Sequence, residues 1–192
     1  MQRSGLAVAA LALLLEEPMH PYRMQRLIKE RGKDLVINVG QRSQLYKTID
    51  RLLEADLIRV AHVERERTDY AITDHGRQSV VEWTTEMLAA PRRDFPEFTA
   101  GLAYLAVLTR AGVIAALESR LGSVRDEIAG IERDTASVPG LPRVFLVETE
   151  YLLAHLHVDE KWIAALLDDL RSGRLDWDTE ALIDLARQFR TD

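Results

Sequence analysis

The chain has no cysteine, so neither a disulfide framework nor a thiolate metal site can form. Lysine is scarce as well: four lysines stand among 25 basic residues, and arginine carries the positive charge. Together with abundant alanine, this is the composition of a GC-rich bacterial genome. No long apolar run is present. The stretch Gly5 to Leu15 is too short to span a bilayer. It follows Arg3, as a signal sequence would, but Glu16-Glu17-Pro18 stands where a small-residue cleavage site belongs. It reads as a first core helix, with no membrane association expected. There is no phosphate-binding glycine loop and no zinc-protease string, so no enzyme, cofactor or metal is expected. His155 and His157 are two apart on a helical stretch and face different ways; His155 and Asp159, at i and i+4, could share a face.

What the chain does have is 47 % hydrophobic residues over 192 positions, enough for a packed core. Its net charge of −6 is unevenly placed. Residues 1–90 carry 13 basic and 13 acidic side chains, whereas residues 91–192 carry 12 and 18. Within 20–77 the balance is 12 basic to 9 acidic, so this part can present a basic face. Two prolines in Ala90-Pro91-Arg92-Arg93-Asp94-Phe95-Pro96 mark a boundary. The expected layout is an N-terminal domain over 1–90, a linker over 91–97 and a helical domain over 98–192.

Hydrophobic periodicity predicts a buried first helix, then a second over Tyr22–Arg31 ended by Gly32. Leu35 to Val39 reads as extended. A third helix runs over Gln41–Ala55, with Leu45, Ile49, Leu52 and Leu53 inward and Asp56 closing it. Leu57–Val63 and Thr68–Ile72 alternate as a hairpin. Thr73 then caps a fourth helix with Val80, Thr84, Met87 and Leu88 inward. The fold class is mainly α: a winged helix-turn-helix with a two-stranded wing, followed by an α-helical C-terminal domain. In that domain Val113, Leu117, Leu121, Val124, Ile128 and Ile131 form one seam. Val147, Tyr151, Ala154, Val158, Trp162 and Ala165 form another.

Five strings resemble the PadR-like transcriptional regulators in order and spacing. They are Leu11-Ala12-Leu13-Leu14, His20-Pro21-Tyr22, Leu45-Tyr46-Lys47-Thr48-Ile49-Asp50-Arg51-Leu52, Leu57-Ile58 and Tyr70-Ala71-Ile72-Thr73-Asp74-His75-Gly76. A looser resemblance covers Phe98–Leu108, Leu117–Leu121 and Tyr151–Leu170. Ser43-Gln44 departs from the family's usual Gly-Thr, Asp56 replaces a glycine, and the wing tip has no glycine. The resemblance implies a cytoplasmic homodimer on a palindromic double-stranded DNA operator. It usually implies repression, often relieved by a small-molecule effector or a cellular signal.

If the third helix buries its apolar face, the other face carries the DNA-reading candidates. These are Gln41, Arg42, Ser43, Gln44, Tyr46, Lys47, Thr48 and Arg51. Arginine can pair with guanine and glutamine with adenine, while Ser and Thr suit phosphate or a thymine methyl. Tyr46 either donates to a phosphate or packs under the helix. Arg65 and Arg67 are the wing's candidate probes. Arg23 and Arg26 either clamp the DNA backbone or serve structure alone. A candidate effector pocket gathers Tyr104, Tyr151, His155, Trp162 and Trp177. The acidic C-terminal half leaves one alternative, a winged-helix module that binds a basic protein and not DNA.

Overall fold

A computed structural model describes residues 3–40, 42–64, 67–91 and 93–188. The chain divides into two compact units, Met1–Arg93 and Asp94–Asp192.

In the first unit, helix α1 (Gly5–Glu16) is apolar nearly all round and forms the centre. The Ser4 hydroxyl caps it, accepting from the Ala7 N–H at 3.2 Å. Helices α2 (Pro21–Glu30), α3 (Arg42–Glu54) and α4 (Asp74–Ala89) pack around it. Strands β1 (Ile58–Glu64) and β2 (Arg67–Ile72) pair antiparallel, Ile58 opposite Ile72, with an irregularity between Val60 and His62. Met19 and Tyr70 exchange backbone hydrogen bonds of 3.0 and 3.1 Å, which ties the α1–α2 turn to the base of the wing.

Three expectations need correction here. Lys33–Leu35 is a 3-10 turn, and no extended run follows at Leu35. Gly32 sits at φ 64, and the Lys33 carbonyl accepts from both Val36 and Ile37. These bonds curl the segment; Val39 is buried in the core and the partly buried Ile37 packs against it. On α3, Leu53 is 39 % exposed and Thr48 only 8 %. At about 100° per residue the two flank the arc set by Leu45, Ile49 and Leu52 on opposite sides at nearly equal angles, and it is the Thr48 side that the packing covers. On α4 the inward side chains are Ser79, Val80 and the half-buried Trp83, with Gly76 at the closest approach. Thr84, Met87 and Leu88 are exposed.

The turn from α3 to β1 rests on Asp56 at φ 55, a conformation aspartate tolerates better than most residues. The Thr73 side chain then works twice. It donates to the Asp56 carbonyl at 2.8 Å and accepts from the Gly76 N–H at 3.0 Å, capping α4.

The second unit contains α5 (Glu97–Ala103), α6 (Arg110–Ala136), α7 (Val147–Ser172) and α8 (Thr179–Gln188). Helices α6 and α7 form an antiparallel hairpin. Ion pairs that cross it include Glu118–Arg171, Arg120–Asp159 and Arg125–Glu160. All six seam residues of α6 are buried. On α7 the buried residues are Leu156, Ile163, Leu167 and Leu170. The expected stripe of Val147, Tyr151, Ala154, Val158, Trp162 and Ala165 lies about half a turn round the helix and is exposed. Helix α7 thus carries two apolar stripes, and the aliphatic one takes α6.

Candidate nucleic-acid interface

The site starts with α3. Burial of Leu45, Ile49 and Leu52 against α1 and α2 fixes the helix, and that leaves Ser43, Gln44, Tyr46, Lys47 and Arg51 on the outside. Lys47 and Arg51 are one turn apart, and neither forms an ion pair with a described residue. Their charge is therefore available to an external anion. Asp50 and Glu54 occupy the exposed surface further along, so the positive end of the face is its N-terminal part.

Thr48 leaves the candidate set on geometry. It is buried, and its hydroxyl donates to the Gln44 carbonyl at 2.8 Å. It packs the helix and has no hydroxyl proton left to donate outward. Tyr46 stays partly exposed, with its ring edge-on to His20 at 6.4 Å between centroids. The neighbouring Tyr70 is half-buried beneath α3. Burial, then the charge of Asp50, pushes its hydroxyl above the ordinary tyrosine value, so Tyr70 remains a neutral donor. Gln41 and Arg65 lie outside the described residues, as does the side chain of Arg42.

The wing is less free than its sequence implies. Arg67 is turned back along β2, its Nε donating to Asp69 Oδ1 at 3.0 Å. Reaching DNA would require trading that exposed pair for a phosphate. The α2 arginines are also engaged. Arg23 pairs with Glu17 at 2.5 Å and Arg26 with Glu30 at 3.2 Å. Two exposed polar residues near the site escaped sequence reasoning. One is Arg59 on β1. The other is Asn38, just before α3, whose signal was the short Asn-Val-Gly string preceding a helix.

The effector candidates do not assemble into an enclosed pocket within the second unit. Tyr104, Tyr151, His155 and Trp162 are exposed. Tyr151 and His155 stack locally at 4.2 Å between centroids, and Trp162 stands edge-on to Phe98 at 6.3 Å. Trp177 is held elsewhere, its Nε1 donating to the Leu108 carbonyl at 3.2 Å. The reason is the outward turn of the second α7 stripe, which carries Tyr151 and Trp162.

The model of the transcriptional regulator PadR-like family matches residues 10–82. No curated protein matches in sequence at a significant level. Among solved structures, the chain is similar to Bacillus subtilis PadR in complex with operator DNA, with a TM-score of 0.68 and 18 % identity. The likeness covers 87 % of this chain and 99 % of that one. It is also similar to Bacillus subtilis PadR in complex with p-coumaric acid (TM-score 0.70, 19 % identity, 86 % of this chain and 98 % of that one). A third likeness is to the Vibrio cholerae virulence activator AphA (TM-score 0.56, 17 % identity, 95 % of this chain and 99 % of that one). Residues 10–82 thus match the PadR-like family of transcriptional regulators, and the chain as a whole has the PadR fold, a winged helix with a helical C-terminal region.

Proposed function

We propose that this protein is a sequence-specific DNA-binding repressor that acts in the cytoplasm as a homodimer on a palindromic operator. One observation carries the reading. Within the family-matched unit, α3 has one face locked into the core while Ser43, Gln44, Lys47 and Arg51 stand open beside a two-stranded wing. The N-terminal part of such a helix reaches base edges in the major groove, while the wing meets the adjacent backbone. Gln44 suits an adenine, and the cations offset phosphate charge. In a two-fold dimer the paired helices enter successive major grooves about 34 Å apart.

The second unit supplies the partner surface. Val147, Tyr151, Val158 and Trp162 on α7 are apolar, exposed and in helical register. A second copy covering that stripe would remove it from water at about 25 cal/mol per Å². An effector that changes this packing would change the spacing of the recognition helices, and so DNA affinity. The precedent for a small aromatic acid is the p-coumaric acid complex of the Bacillus subtilis protein.

Selection from a random duplex library tests the reading. Enrichment of one sequence with inverted-repeat symmetry is expected. Recovery of no preferred sequence at low salt would contradict it.

A further inference from the structure

An open cleft of about 440 Å³ lies on the winged-helix unit between α3 and the segment that precedes it. Its polar walls are Ser4, Asn38, Gln44, Lys47 and Arg51, and among the described residues no carboxylate lines it. The segment is pinned. Val39 is buried, and the Gln25 Nε2 amide donates to the Val39 carbonyl at 3.2 Å. Asn38 is oriented in turn, because its Oδ1 accepts from the Gly40 N–H at 3.1 Å. That bond occupies the carbonyl end of the side chain and leaves the amide's two N–H donors for the cleft. Ser4 is similar: its oxygen accepts from the Ala7 N–H, which leaves its O–H to donate. Thr48, also in the wall, already spends its proton on Gln44.

A wall whose described polar groups are two cations and several neutral donors suits a ligand that only accepts. We infer that this cleft holds one backbone phosphate of the bound duplex, gripped by Lys47, Arg51 and the Asn38 amide. The inference rests on the DNA-binding reading above and divides the α3 face by role. Gln44 and Ser43 read bases, whereas Lys47 and Arg51 set register on the backbone and carry no sequence information. Asn38, outside the recognition helix, is a positioning residue for that phosphate.

The test uses the full chain, a short duplex recovered by selection, and a scrambled duplex of equal length. Asn38→Asp keeps the oxygen that receives the Gly40 N–H and replaces the donating amide with a negative charge. It should weaken binding to both duplexes by the same factor, about tenfold or more, with an unchanged thermal midpoint. Arg51→Gln should flatten the log–log salt dependence by about 0.9 per protomer on both duplexes. A methylphosphonate scan of the selected duplex should find one phosphate per half-site whose neutralisation abolishes the effect of Arg51→Gln. Asn38→Asp binding like the wild type overturns the clamp, as does a scan that finds no such phosphate. Losses confined to the selected duplex overturn it too, since they would place these residues on bases. If the wild-type chain binds neither duplex, the DNA reading falls and the clamp with it.

Discussion

A Cβ built on Gly76 would lie 2.0 Å from the carbonyl oxygen of Leu57. The first turn of α4 is therefore pressed against the turn from α3 into β1, and a hydrogen is the largest substituent that fits. Leu57 O also accepts the Thr73 N–H at 3.1 Å, so it cannot move away without losing that bond. The string from Tyr70 to Gly76 thus has a packing reason: it holds the wing, α3 and α4 in one register. Gly76→Ala should destabilise the first unit by about 3 kcal/mol through overpacking against backbone. Urea denaturation followed by circular dichroism measures it, and a change under half a kcal/mol would mean that the contact is softer than this geometry.

Asp56 presents the opposite case. At φ 55 it occupies a conformation that glycine adopts freely, at the position where the family usually has glycine. Asp56→Gly should stabilise the chain by about 0.5 kcal/mol, because relief of the left-handed strain slightly exceeds the added chain entropy. Asp56→Val should destabilise it by more than 1 kcal/mol, since a β-branched residue resists this region. Thermal midpoints of the two variants, measured side by side, should move in opposite directions.

Acid stability has a local handle where α1 meets α2. The Glu16 carboxylate accepts from Arg31 at 2.5 and 2.8 Å, and this bonding holds its pKa below the ordinary value of 4.5. A carboxylate depressed on folding contributes stability that is complete above its unfolded value and is lost as pH falls through the folded one. Both side chains are nearly half exposed, so the contribution stays within about 1 kcal/mol. Glu16→Gln should cost little at pH 7 and should shallow the decline in stability below about pH 4.5. Identical slopes for variant and wild type in urea melts at pH 7 and pH 4 would show that the pair contributes nothing.

The exposed stripe of α7 predicts an assembly defect. Val158 is 67 % exposed in the single chain, so Val158→Glu should leave its folding intact. If a second copy covers the stripe, the same change puts a charge into an apolar contact, twice per dimer. Light scattering after size exclusion should show wild-type dimers and Val158→Glu monomers at micromolar concentration. A variant that remains dimeric would place the two-fold contact on another face.

The winged-helix architecture was legible because its elements carry different and strong hydrophobic patterns. The α1 run is apolar all round, α3 repeats at three and four, and the wing alternates. Margins were harder. Thr48 and Leu53 sit on opposite edges of the buried arc of α3, and residue type favoured the wrong one. Hydrophobicity pointed to Leu53, whereas the packing covers Thr48, whose hydroxyl is satisfied by the Gln44 carbonyl. On α7 the sequence carries two stripes half a turn apart, and pattern alone cannot say which one the chain's own α6 will cover.

Charge was harder still. Arg23, Arg26 and Arg67 look alike in sequence to Lys47 and Arg51, yet the first three are paired with carboxylates and the last two have no such partner among the described residues. Pairing depends on rotamers and on neighbours six residues or less away. Asn38 escaped notice because its role depends on Gly40 fixing one end of its amide, a relation between an unremarkable pair of loop residues.

Fluorescence anisotropy of the full chain on the DNA upstream of its own gene, against an unrelated duplex over a salt series, tests the central claim most directly. Regulators of this kind often control their own expression, so that fragment is the first to try. Tight binding that exceeds the control and weakens with salt, at a log–log slope of about −0.9 per phosphate contact, is the predicted result. Absence of binding to either duplex at low salt would contradict it and would favour a protein partner for this winged helix.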